Sequence, residues 1–128
     1  MPEKIAHLSR TVPRPFEEAK AAVIEALQAQ GFSVLTEIDL QAKFKEKVDK
    51  DIPPYVILGA CGAGLAYRAW EVDPLVGVHL PCNVSLRGVY GGTEVLIRDP
   101  RSMSQFSDGI ALIEPEVSTK LQAVLDAL

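Results

Sequence analysis

Val84-Ser85-Leu86-Arg87-Gly88-Val89-Tyr90-Gly91-Gly92-Thr93-Glu94-Val95-Leu96-Ile97-Arg98 is the stretch that decides the fold. Two apolar-rich runs, Val84–Tyr90 and Thr93–Arg98, flank the pair Gly91-Gly92. Glycines that take positive φ at little cost, set between two such runs, signal a two-residue β-hairpin. An antiparallel pair here is at odds with the regular strand–helix alternation of a doubly wound sheet.

Reading upstream, Tyr55-Val56-Ile57-Leu58 is a continuous apolar run and predicts a strand buried on both faces. Gly59-Ala60-Cys61-Gly62-Ala63-Gly64 follows, then a short helix over 65–72 with Leu65, Ala66, Ala69 and Trp70 on one side. Asp73-Pro74 stops that helix. Further back, Phe32 to Ile38 alternates as a strand, and Asp39 can cap a short helix in which Leu40, Phe44 and Val48 fall four apart. Pro15, Glu17 and Glu18 suit a helix start, and Phe16, Ala19, Val23, Ala26 and Leu27 recur at helical spacing until Gly31. Residues 4–12 read as a first strand, and Pro115 as the opening of a last helix with Val117, Leu121, Val124 and Leu128 inside. The predicted fold is a single α+β domain over 1–128, a mostly antiparallel sheet covered by two long amphipathic helices.

Composition agrees. The chain has 128 residues, 48% hydrophobic and 23% charged, with a net charge of −4. Its folded surface should be about 6,700 Å² against about 20,000 Å² extended, enough burial for a core without disulfide staples. A sequence pI of about 5.1 argues against an electrostatic grip on nucleic acid or anionic lipid. The longest uncharged stretch, Ile52 to Tyr67, is broken by prolines and glycines and too short to span a bilayer. No signal-peptide pattern opens the sequence, and two cysteines are too few for a secreted disulfide framework, so a cytoplasmic protein is expected.

Four blocks give the chain a family resemblance: Gly31-Phe32-Ser33-Val34-Leu35-Thr36-Glu37-Ile38-Asp39, Val56-Ile57-Leu58-Gly59-Ala60-Cys61, Asp73-Pro74-Leu75-Val76-Gly77 and Leu80-Pro81-Cys82-Asn83-Val84. In order and spacing these resemble the domain-of-unknown-function 302 family over about residues 15–100. Gly62-Ala63 departs from the Asn-Pro that many such relatives carry. The resemblance implies a β-α-β(4)-α arrangement akin to the TATA-binding-protein-like class, with a curved sheet, and a homodimer. It implies no catalytic activity, substrate or cofactor.

The candidate site gathers Cys61, His79, Cys82 and Asn83. Cys61 closes the third strand just before a helix N-terminus, where backbone N–H groups stabilise a thiolate. Cys82 opens the fourth strand, so the thiols come close only if those strands are antiparallel neighbours. Zinc needs at least three ligands, and two Cys with one His meet only that count without the usual paired spacing. The simpler alternative is that both cysteines are small buried hydrophobes. The glycines at 59, 62 and 64 match neither a dinucleotide fingerprint nor a P-loop, which leaves turn geometry and close packing as their reason. Lys43, Lys45, Lys47 and Lys50 are balanced by Asp39, Glu46, Asp49 and Asp51, a solvated face rather than a nucleic-acid patch. Tyr55, Tyr67 and Trp70 either line a groove or fill the core, the core being the simpler expectation.

Two functions remain. One is a non-catalytic homodimeric module that binds a small apolar ligand or a protein partner, its groove lined by the inner face of helix 115–128 and the sheet. The other is thiol-based redox, sulfur or metal handling through Cys61 and Cys82.

Overall fold

A computed structural model describes residues 7–128. Its elements are β1 (His7–Val12), α1 (Phe16–Ala29), β2 (Ser33–Asp39), α2 (Leu40–Val48), β3 (Tyr55–Cys61), α3 (Ala63–Val72), β4 (Cys82–Val89), β5 (Gly92–Arg98) and α4 (Asp108–Asp126). A 3-10 helix, Pro74–His79, precedes β4, and two shorter ones, Pro100–Ser102 and Ser104–Phe106, precede α4. Residues 4–6 of the expected first strand lie outside the described residues.

The five strands form one sheet in the order β1-β5-β4-β3-β2, antiparallel at every pairing. This is the expected α+β architecture, β-α-β(4)-α with short helices in the connections. Val56, Leu58 and Ala60 of β3, Val84 and Leu86 of β4, and Val95 and Ile97 of β5 point to one face and are buried. They meet Ala19, Val23 and Leu27 of α1 and Val117, Leu121 and Val124 of α4 in one core cluster. Each Val, Leu or Ile side chain so buried contributes about 1.5–3 kcal/mol. On the opposite face Ile57, Ser85 and Leu96 are only half-buried, so Tyr55–Leu58 is not sealed on both sides as expected.

Local chemistry sets the boundaries. Helix α1 ends as predicted, because Gly31 takes φ +83° and the amides of Gly31 and Phe32 turn back onto the carbonyls of Gln28 and Leu27. The hairpin is offset by one residue. Val89 pairs with Gly92, so Tyr90 and Gly91 form the loop, with φ +81° at Gly91 alone. Gly92 belongs to the strand, where a Cβ would collide with the carbonyl of Val12.

Helix α4 departs most from expectation. It starts at Asp108, and Pro115 lies inside it. The Ser107 hydroxyl oxygen caps the amide of Ile110 at 3.3 Å, and Ile110 and Ile113 are buried, extending the apolar stripe one full turn and more upstream of the proline. An interior proline costs about 3 kcal/mol, and burying two isoleucines offsets it. Pro115 and Ala111, whose carbonyl loses its partner, both lie on the exposed side, where water can serve.

Candidate functional site

The topological condition on the cysteines is met. Strand β3 pairs antiparallel with β4, and Ala60 stands opposite Cys82, so Cys61 lies one residue beyond the pair and Asn83 faces Gly59. Both cysteines are free and half-buried. Glycine is required at 59 because a Cβ there would run into the Thr36 hydroxyl and lie 2.9 Å from the Pro81 ring. At Gly62, the residue capping α3, a Cβ would sit 3.2 Å from the Phe32 ring. Close packing thus explains Gly59 and Gly62, but not Gly64, where a Cβ would meet nothing within 4 Å.

Cys82 separates two small spaces. On one side His79, Leu80, Cys82, Asn83, Arg98 and Met103 border a cavity of about 140 Å³. On the other, Cys61 and Cys82 share a cavity of about 20 Å³ with Phe32, Leu65, Ile113 and Val117. His79, Cys82 and Asn83 therefore meet at one opening, and Cys61 joins Cys82 in the interior. The imidazole of His79 stacks on Phe106 with ring centroids 6.3 Å apart. Among the described residues no hydrogen bond joins His79 to Asn83 or to either cysteine, so no nucleophile–base pair is assembled.

Burial, with a smaller contribution from charge on Cys61, pushes the Cys82 thiol up to about 11. Burial also raises Cys61. The short approach to the α3 N-terminus does not outweigh desolvation, so both thiols stay protonated near neutral pH. Among the described residues no group of three or more His, Cys, Asp or Glu side chains is placed to hold a metal ion.

The groove expected under residues 115–128 is closed. Val117, Leu121 and Val124 are packed onto the sheet, and the spaces left near Val117 are about 20 Å³, the room of one water. A larger depression, about 520 Å³, lies instead on the flank of α4, bordered by Leu8, Asp99, Arg101, Ser118, Gln122 and Asp126.

The aromatic expectation is also overturned: Tyr67 and Trp70 stack on each other at 6.1 Å on the exposed side of α3. Asp73-Pro74 is expected from the sequence only to stop a helix, and Asp99-Pro100 goes unread although it carries the same signal. Asp73-Pro74 and Asp99-Pro100 are equivalent turns in which the aspartate accepts the amide two residues on, at 3.0 Å in each case. The first builds the 3-10 helix Pro74–His79, which turns Val76 inward and leaves Leu75 and Val78 77% and 84% exposed. Among the described residues no helix is long and apolar enough to cross a membrane.

Comparison with known proteins extends the resemblance to nearly the whole chain. The model of the family described as "Domain of unknown function DUF302" matches residues 8–128. A crystal structure of an uncharacterised conserved DUF302 protein from Bacillus stearothermophilus superposes with a TM-score of 0.88 at 26% identity, covering 97% of this chain and 98% of that one. No curated protein matches.

Proposed function

We propose, from the premise that the chain belongs to the DUF302 family, that it is a non-catalytic, homodimeric binding module that recognises a protein partner beside the His79–Cys82 turn. The observation that carries this reading is the exposure of Leu75 and Val78 on the 3-10 helix next to the stacked pairs Tyr67–Trp70 and His79–Phe106. α3, this 3-10 helix and Ser104–Phe106 all contact α4, and the His79–Phe106 stack joins the two 3-10 segments, so these side chains lie in one region of the molecule. Exposed apolar surface of this kind marks interaction sites, and Trp and Tyr serve there as anchors.

A protein partner is favoured over a small apolar ligand because the spaces inside are small and the apolar residues face outward. The thiol alternative is supported by the β3–β4 pairing, which brings Cys61 and Cys82 to a shared cavity wall, and opposed by the raised pKa of both thiols.

The test is affinity capture from an extract of the source cells with equal amounts of folded wild type and Leu75→Asp/Val78→Asp. A protein held by the wild type and lost from the variant supports the reading. Identical retention by both baits sinks it.

A further inference from the structure

Helix α2 is nine residues long and none of them is buried. Its apolar stripe, Leu40, Phe44 and Val48, runs along the helix, with Val48 59% exposed. Helices shorter than about 12–15 residues are marginal in water on their own, and in proteins they persist by packing an amphipathic face. Within the chain α2 has its Asp39 cap on the amide of Ala42, at 3.0 Å, and a bond from Gln41 to the carbonyl of Ile52, at 2.9 Å. Its apolar face is only partly covered: α2 touches β3 and Leu40 is half-buried, but Phe44 and Val48 remain exposed.

The strand that leads into it has the same character. β2 is an edge strand, and Leu35 and Ile38 on it are exposed. The other edge, β1, is differently built: its exposed residues are polar, and Arg10 ties it to α4 through the carbonyl of Leu125 at 2.7 Å. Apart from Tyr90 at the hairpin tip, the exposed large apolar residues divide between the region of the molecule described above and this β2–α2 arm.

We propose that the β2–α2 arm is the surface through which two copies of this chain associate. The proposal rests on the homodimeric part of the reading above and names its interface. Charge selects a second copy as the occupant. The chain carries a net −4, so two copies repel over most approaches. From Asp39 to Asp51, four lysines meet four carboxylates, and several are paired within the arm: Lys43 with Glu46, and Lys45 with Asp49 and Asp51. A locally neutral surface with an apolar stripe can meet its own two-fold image without repulsion, the isologous arrangement of most homodimers. The bulge at Leu35, in the ladder with β3, bends β2 and makes its free edge a poor template for a further strand. Side-chain packing of Leu35, Ile38, Phe44 and Val48 therefore carries the contact.

The experiment is sedimentation velocity over a concentration series on wild type, Phe44→Glu/Val48→Glu, and Tyr90→Glu as a control at the hairpin tip. The expected result is a wild type and control at twice the 13.9 kDa chain mass, and a double variant at least tenfold weaker in association. Hydrogen exchange on the wild type gives a second reading independent of how the variant folds: amides of residues 40–48 should gain protection as concentration rises. A dimer that persists in the double variant, with exchange in α2 indifferent to concentration, overturns this interface and leaves the homodimer standing. A monomeric wild type overturns both, and leaves the arm to a different protein.

Discussion

The hydroxyl of Ser107 donates to Oδ2 of Asp73 at 3.0 Å while its oxygen accepts the amide of Ile110, so one buried side chain joins the caps of two helices. The same aspartate accepts the amide of Leu75 through Oδ1. This pair fixes the start of α4 against the 3-10 helix that presents Leu75 and Val78.

Ser107→Ala is expected to lower stability by roughly 1–2 kcal/mol, the usual worth of an N-cap, seen as a melting temperature lower by several degrees. Ser107→Asp should fail to restore it, although aspartate is a good cap, because its carboxylate meets Asp73. Full recovery by Ser107→Asp would show that the two caps act independently.

Asp99 predicts a pH dependence. The Arg101 guanidinium holds its carboxyl below the usual range, through side-chain contacts as short as 2.7 Å. With a folded pKa below the unfolded one, the stabilisation is present above the unfolded value, near pH 4, and is lost as pH falls through the folded value. Asp99→Asn should therefore destabilise the protein at pH 7 and converge with wild type in acid. Because Arg101 is largely exposed, salt should shrink the difference. Urea melts at several pH values and salt concentrations measure this. Parallel curves down to the acid limb would remove the pair from the account of stability.

How much of this was legible in the sequence follows from the range of the interactions. The α1 terminus was legible because Gly31 is a local requirement of backbone geometry, and Gly59 and Gly62 because close packing leaves few other reasons for them. The start of α4 was not, because Pro115 is a local signal for a helix start and the burial of Ile110 and Ile113 that overrides it is tertiary. Trp70 misled similarly: on the helical period it shares a side with Leu65 and Ala69, yet the side chain reaches past the edge of the core to stack on Tyr67. The cysteines were correctly placed by topology, but their acidity depends on burial, which spacing does not report.

The thiols predict slow chemistry. With Cys82 raised to about 11 and Cys61 raised as well, alkylation of the folded protein at pH 7 should be well below the rate of an ordinary exposed thiol, and Cys82 should be the slower. Since the folded pKa lies above the unfolded one, Cys82 also contributes stability that is lost as pH climbs from about 9 toward about 11. Cys82→Ala should flatten that alkaline slope. Rapid labelling of either cysteine at pH 7 would return the thiol reading to first place.

Pro115 sits in an α-helix whose inner face is fully engaged, and its ring and the orphaned Ala111 carbonyl are on the water side. Replacing it by alanine restores one backbone hydrogen bond and relieves the steric clash with the preceding turn, worth up to about 3 kcal/mol. The gain is reduced because proline also restricts the unfolded chain, a benefit alanine gives up, by about 0.4–1 kcal/mol. Pro115→Ala should therefore raise stability by roughly 2 kcal/mol, with no loss at the Leu75–Val78 surface, since residue 115 is exposed on another part of α4. Urea denaturation decides it. A destabilised Pro115→Ala protein would mean that the helix is bent at this point to fit the sheet and that Val117 and Leu121 reach their buried positions only because of the bend.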